Sequence, residues 1–227
     1  MKTEINEVLK PVVRVNEGGS GLIVSHLGKT YVLTNAHVVE NLVKETEDDD
    51  DDLKKVPFVS IDQFLYDKVG KLKGIYSVQG RLIAYDDVSD LAMIKLKSKL
   101  IKSCQINLPT KEFSKNISVF DNIYIVGCSL ARPAVPSQGI ISSLNAEHDG
   151  QEYWMTTAPI VTGNSGGGCF KYDIETDKYI LVGMPTAVST YDSSEKDAAP
   201  LIIPHINYII PAQTIIKFMN YVWDLIS

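Results

Sequence analysis

An all-β fold, either a sandwich or a pair of barrels closed by one C-terminal helix, is what this sequence predicts. Three observations carry that expectation. Short segments rich in β-branched and aromatic residues recur about a dozen times along the chain. Turn-forming residues separate them at close spacing. Only the stretch after Pro211 changes from strand-like to helical periodicity. The chain has 227 residues, 44% of them hydrophobic and 22% charged, enough for a real core and far from a disordered composition.

The predicted strands run in order as 12–15, 21–26, 30–34, 58–64, 74–84 and 91–96. A more polar connector at 97–118, containing Pro109, separates them from 122–127, 137–144, 153–157, 167–172, 179–188 and 201–210. The connector falls near the middle, which suggests two similar halves, although no sequence repeat joins them. In the tail, Ile215, Phe218, Met219, Val222, Leu225 and Ile226 recur at helical spacing. Pro211 suits the first turn of such a helix. The polar face carries one Lys, so this helix is expected to pack on the last barrel and not on a membrane surface.

Charge and cysteine content narrow the function classes. The formal net charge is −6, from 22 Lys plus Arg against 28 Asp plus Glu. Seven of those acids lie in the run ETEDDDDD at 45–52, so the rest of the chain is nearly neutral. Nucleic-acid binding needs clustered cations and is not expected. The acidic run reads as a solvated, self-repelling loop. Calcium binding and electrostatic selection of basic substrates are the alternatives, the first weakened by the absence of spaced ligands and a loop Gly. Cys104, Cys128 and Cys169 form neither an even framework nor a metal motif. No secretory leader and no membrane-length apolar run is evident. The expectation is a cytoplasmic protein without metal or cofactor.

Three segments hold the residues that can do chemistry. They are Leu33-Thr-Asn-Ala-His-Val-Val39, Ser89-Asp-Leu-Ala-Met-Ile-Lys95 and Thr162-Gly-Asn-Ser-Gly-Gly-Gly168. Singly, each has a plain structural explanation: a strand-end His, a turn Asp, a Gly-rich turn. Together they supply what acyl transfer requires. A serine hydroxyl needs an adjacent base, and imidazole has a suitable pKa to take and return its proton. A carboxylate fixes the imidazole tautomer. Backbone N–H groups in a tight Gly turn can converge on a developing oxyanion. The order His, Asp, Ser on an all-β chain is a known arrangement of such a triad.

On those residues the sequence resembles the chymotrypsin-fold serine peptidases, and among them the protease domain of the HtrA/Deg branch. The matching stretches are GSGLIV at 19–24, YVLTNAHVV at 31–39, SDLAMIKL at 89–96, GNSGG at 163–167, ILVGM at 180–184 and INYIIP at 206–211. The resemblance implies two six-stranded antiparallel β-barrels, one over 1–110 with His37 and Asp90, the other over 111–227 with Ser165. It implies His37 as general base, Asp90 as its partner in preference to Asp86 or Asp87, and Ser165 as nucleophile. Gly163, Asn164 and Ser165 would form the oxyanion hole. Thr186 would support Asp90. Ile160, Thr162, Thr186, Ala187, Val188 and Ile206 would line the pocket for the residue at the cleavage position. With no acid at its base, that pocket is expected to favour small or medium aliphatic side chains.

Several departures sharpen this. Val38 and Asn164 stand where the secreted digestive enzymes have Cys and Asp, and no Ile-Val-Gly-Gly sequence is present for a zymogen switch. Gly168 replaces the usual Pro, and Pro185 beside Thr186 is unusual. Cys169 is expected to be a small buried hydrophobe. The sequence ends directly after the helix, which makes a PDZ-guided protease unexpected, and no oligomer is indicated. The implied activity is a serine endopeptidase acting on polypeptides. The alternatives are a maturation protease that cuts itself or one partner, and a silent pseudo-protease used for binding.

Overall fold

The structure is a computed structural model that describes residues 3–47, 58–100, 104–148, 150–191 and 201–227. Twelve strands form two closed antiparallel barrels of six strands each. The first contains β1 (Val12–Val15), β2 (Gly19–His26), β3 (Lys29–Thr34), β4 (Phe58–Tyr66), β5 (Leu72–Asp86) and β6 (Leu91–Leu96). They run around the barrel as β1-β2-β3-β6-β5-β4, and β4 closes on β1. The second contains β7 (Asn122–Gly127), β8 (Val135–His148), β9 (Gln151–Thr156), β10 (Gly168–Asp173), β11 (Lys178–Tyr191) and β12 (Leu201–Pro211). Their order is β10-β11-β12-β9-β8-β7, with β7 closing on β10. Closure removes the exposed sheet edges that an open sheet would present. Among the described residues there are three α-helices, α1 (Glu40–Glu47), α2 (Lys111–Lys115) and α3 (Ala212–Ile226), with a short π-helical segment at Ile5–Leu9 and a 3-10 turn at Ser129–Ala131. The all-β barrel pair with a C-terminal helix is therefore as the sequence predicts.

Side-chain alternation explains how the barrels pack. Along β2, β3 and β6, Ile23, Val32, Ala92 and Ile94 point into the first barrel beside Val13, Val15 and Ile61. Their neighbours Leu22, Val24, Leu33 and Met93 point outward and pack with Val126, Phe170, Leu181 and Met184 of the second barrel. Strands buried on both faces read as nearly continuous apolar runs, as LIV and LAMI do here. A separate cluster of Ile123, Ile125, Ile141, Cys169, Val182 and Ile209 fills the second barrel. The contact between barrels thus belongs to one shared core, which fixes the cleft between them.

Helix α3 joins that shared core through Ile215, Phe218, Met219 and Val222, each burial contributing about 1.5–3 kcal/mol. Leu225 and Ile226, although in phase, are exposed at 65% and 39% because the last turn runs past the barrel surface. Trp223 stacks on His26 with ring centroids 4.3 Å apart. Pro185 is tolerated inside β11 because the strand bulges between Pro185 and Ala187, where the ladder to β12 shifts register. Of the acidic run, Glu45–Glu47 end helix α1, and residues 48–52 lie outside the described residues.

Candidate active site

His37 follows β3 and Asp90 precedes β6, and β3 and β6 are direct neighbours paired from Thr34↔Ala92 to Tyr31↔Lys95. That pairing brings the two side chains together. His37 Nδ1 lies 2.9 Å from both Asp90 Oδ1 and Oδ2, and the backbone N–H of His37 donates to Oδ1 at 3.0 Å. Thr186 Oγ1, from β11, donates to Oδ2 at 2.5 Å. Asp90 therefore has three donors around one carboxylate, from both barrels. Its backbone is left-handed at φ 52, a conformation Asp tolerates better than most residues. The amide of Asn35 holds that backbone by donating from Nδ2 to Asp90 O at 2.9 Å. Asp86 is occupied elsewhere, accepting from Val88 N, Ser89 N and Ser89 Oγ as an ordinary turn residue.

Ser165 sits in the turn before β10. Its hydroxyl lies 3.4 Å from Thr186 O, and no hydrogen bond joins it to His37. A hydroxyl rotor is free to turn, and such bonds are commonly long before substrate arrives. Ser165 and His37 line one open cavity of about 380 Å³, together with Gly163, Thr186, Ile160, Thr162, Val188 and Val161. A larger hollow of about 620 Å³ lies elsewhere, between Val24, α2 and the β10–β11 turn, and holds neither His37 nor Ser165.

The backbone of the serine turn is held at nearly every step. Thr162 O accepts from Leu130 N at 2.8 Å, and Gly163 O accepts from Ser20 Oγ at 2.5 Å. Asn164 N donates to Val161 O, and Ser165 O accepts from Ser20 N at 2.8 Å. Gly166 N donates to Pro185 O and Gly167 N to Asn164 O. Among the described residues, the N–H groups of Gly163 and Ser165 have no such partner, and they belong to the two turn residues that line the cavity. Two preorganised donors beside a serine can hold an oxyanion.

Asn164 departs from the expectation. Its N–H is committed to Val161, and its side chain is turned inward, where Oδ1 accepts from Val161 N at 3.0 Å and Ser129 Oγ at 3.2 Å. It shapes the turn and has no donor for the cleft. Ala187 and Ile206 also lie outside the cavity lining. Ile206 faces out, 36% exposed, while its neighbour Asn207 turns in, wholly buried, and donates from Nδ2 to Ala158 O. The residues not singled out from sequence are Asn35, Ser20 and Leu130. The first two stood inside the TNAH and GSG stretches, and a polar residue amid apolar strand positions was the available signal. Leu130 left none, because it acts through its backbone.

Burial pushes the Cys128 thiol up to about 12 and drives Cys169 further in the same direction. Both are fully buried, whereas Cys104 is partly exposed. Iodoacetamide at pH 8 should therefore modify only one of the three thiols of the folded protein, with all three reacting after denaturation. Mass spectrometry of the alkylated chain checks this, and rapid modification of Cys169 would contradict its role as a packing residue. Among the described residues, no group of three or more His, Cys, Asp or Glu could hold a metal ion. No helix there is long and apolar enough to cross a membrane.

Residues 19–184 match the family model described as trypsin-like peptidase domain, and the chain belongs to that family. Its relatives lie in the HtrA/Deg branch. It is 30% identical over 199 residues to a protein named serine protease HtrA-like from Staphylococcus epidermidis, covering 78% of this chain and 30% of that one. It is 29% identical over 160 residues to serine endoprotease DegS from Haemophilus influenzae, covering 68% and 38%. The chain thus spans roughly a third of the length of these two relatives. Solved structures share the fold. Deg5 superposes with a TM-score of 0.65 at 20% identity over 94% of this chain and 88% of that one. The HtrA-type protease AlgW, solved with a tripeptide, gives 0.67 at 20% identity over 97% and 62%.

Proposed function

We propose that this chain is a serine endopeptidase that hydrolyses polypeptides through an acyl-enzyme. The observation that carries the reading is the convergence, in one cavity, of Ser165, the His37–Asp90–Thr186 array and the unpartnered N–H groups of Gly163 and Ser165. Ser165 attacks the scissile carbonyl carbon as His37 Nε2 takes its proton. Asp90 holds Nδ1–H and stabilises the imidazolium, and the two N–H groups receive the oxyanion. The tetrahedral adduct collapses when His37 returns the proton to the leaving amine. Water then repeats the sequence on the ester, releasing the acid and restoring Ser165.

The held serine turn favours a competent enzyme over a silent binding module. A pseudo-protease has no need for two oriented donors beside its serine. Specificity follows from the cavity wall. Ile160 and Val188 line it, and among the described residues no acidic one does. Behind them, Asn207 pairs with Val188 across β11 and β12 and fills the interior against Ala158. A shallow apolar recess accepts small or medium aliphatic side chains and offers nothing to Lys or Arg.

A fluorophosphonate probe should label Ser165 of the wild type and leave Ser165→Ala unlabelled. Mapping new N-termini in a peptide library should show cuts after Ala, Val or similar residues. An unlabelled wild type would overturn the endopeptidase assignment, and preferred cutting after Lys, Arg or Phe would overturn the pocket.

A further inference from the structure

Besides the bonds from Ser20 to the serine turn, a polar link crosses from the first barrel to the Ser129–Ala131 turn that braces it, and it begins at Arg14 on β1. The guanidinium is fixed by Asp62 of β4, which accepts from Arg14 Nε at 3.0 Å and from Nη2. The other oxygen of Asp62 accepts from Ser77 Oγ at 2.5 Å, so the carboxylate cannot swing. Two charge-assisted N–H donors converging on the one oxygen, Oδ2, fix the guanidinium plane. Its remaining arm, Nη1, reaches over to the second barrel and donates to Ala131 O at 2.6 Å.

Ala131 and Leu130 are both left-handed, with φ 59 and 53. Two consecutive L-residues of this kind are unfavourable and persist only where surroundings hold them. Their conformation has a consequence for the cleft. It aims Leu130 N–H at Thr162 O, 2.8 Å away. The Thr162–Gly163 peptide is trans, so its C=O and N–H point in opposite directions. Thr162 O is held on Leu130, which does not line the cavity, and this leaves Gly163 N–H on the opposite side, toward the cavity that Gly163 lines.

We propose that Arg14 is a positioning residue of the oxyanion pocket: by holding Ala131 O it maintains the left-handed Leu130–Ala131 turn that orients Gly163 N–H. It touches no substrate and acts entirely through the backbone. This inference rests on the endopeptidase reading of the same site.

The test compares the full chain with Arg14→Met, which keeps the aliphatic stem and removes the donor, and with the double variant Arg14→Met/Ala131→Gly. Glycine is at ease in the left-handed region, so at position 131 it needs less help from Arg14. Arg14→Met should lower kcat on the order of tenfold with KM within about threefold, less than the loss of a whole oxyanion donor. The phosphorus NMR resonance of the Ser165 phosphonyl adduct should shift, because one hydrogen bond to its oxygen is weakened. The double variant should recover most of kcat and the wild-type resonance. Arg14→Lys keeps a cation beside Asp62 without the fork. It should show the same loss, and it replaces Arg14→Met in every comparison if that variant does not fold. Wild-type kcat and resonance in the position-14 variant overturn the inference, as does a loss that Ala131→Gly does not relieve. A wild type that takes no fluorophosphonate fails the endopeptidase reading first, so the two failures are separable.

Discussion

Asp90→Asn is expected to lower kcat by about four orders of magnitude while leaving KM and the melting temperature close to wild type. The reason is a count of donors. Asp90 faces three of them: His37 N–H at 3.0 Å, His37 Nδ1 at 2.9 Å and Thr186 Oγ1 at 2.5 Å. A carboxylate, with two oxygens, accepts all three. An asparagine amide has one oxygen and an NH₂ that only donates. If the oxygen takes the Oδ1 place it keeps the His37 backbone N–H, and the NH₂ takes the Oδ2 place, where it meets the Thr186 hydroxyl, which can turn to accept, and Nδ1, which must then be the acceptor nitrogen. The ring proton moves to Nε2, the nitrogen that has to accept from Ser165, and the base is lost without any change in packing. The fold has no comparable stake in the charge, since the His37 side chain is itself 44% exposed. Steady-state kinetics on a cleaved peptide, with a melting curve beside it, checks both halves. Activity within tenfold of wild type would remove Asp90 from the mechanism, and Asp86→Asn, which touches only its own turn, should be indistinguishable from wild type in the same assay.

How much of this was legible in the sequence depends on whether side chains or backbone carry the function. The barrel strands were visible because β-branched runs such as Leu22-Ile-Val24 and Leu91-Ala-Met-Ile94 bury both faces, and that leaves a continuous apolar signature. His37 and Asp90 were visible for a related reason. Each follows or precedes a strand of fixed length, and pairing of β3 with β6 leaves little freedom in where they meet. The misjudged residues are those whose role depends on which way the chain turns. Asn164 is next to Ser165 and was grouped with the oxyanion donors, yet Gly163, at φ 95 in the turn from Val161, folds its N–H back onto Val161 O. Ile206 and Asn207 exchange places for the same kind of reason. One residue of register along β12 reverses the face, and the bulges in β11 shift that register where periodicity alone cannot show it. Leu130 and Ala131 adopt left-handed backbone that nothing in Ser-Leu-Ala-Arg announces. The second barrel's contribution to the site is therefore largely a backbone arrangement held by long-range contacts, and it becomes readable only once Arg14, Ser20 and Thr162 are seen in one place.

Gly163→Ala carries the other large expected effect, and a control separates its two causes. At φ 95 any L-residue is strained by about 1 kcal/mol, wherever it sits. Here the added Cβ would also lie 2.4 Å from Cys128 O, 2.9 Å from Gly18 O and 3.1 Å from Leu130 N. All three are backbone atoms of segments held by other bonds, so no side chain can swing aside. The least costly relief is rotation of the Thr162–Gly163 peptide, which breaks the bond from Leu130 N and withdraws the N–H from the cavity. The expected result is a fall in kcat of about 10²- to 10³-fold, the loss of one oxyanion donor. Labelling of Ser165 should slow in parallel, because the phosphonyl oxygen uses the same donor. Gly28→Ala supplies the control. Gly28 has a similar φ of 74 in the β2–β3 hairpin, but nothing lies within 4 Å of its added Cβ. It should lose about 1 kcal/mol of stability and no activity. If the two substitutions cost the same stability and Gly163→Ala retains full kcat, the turn is not an oxyanion hole. If Gly163→Ala is poorly folded as well as inactive, Ser165 labelling in the soluble fraction still decides: a normal rate per folded molecule contradicts the assignment, and a rate reduced by the same 10²- to 10³-fold supports it.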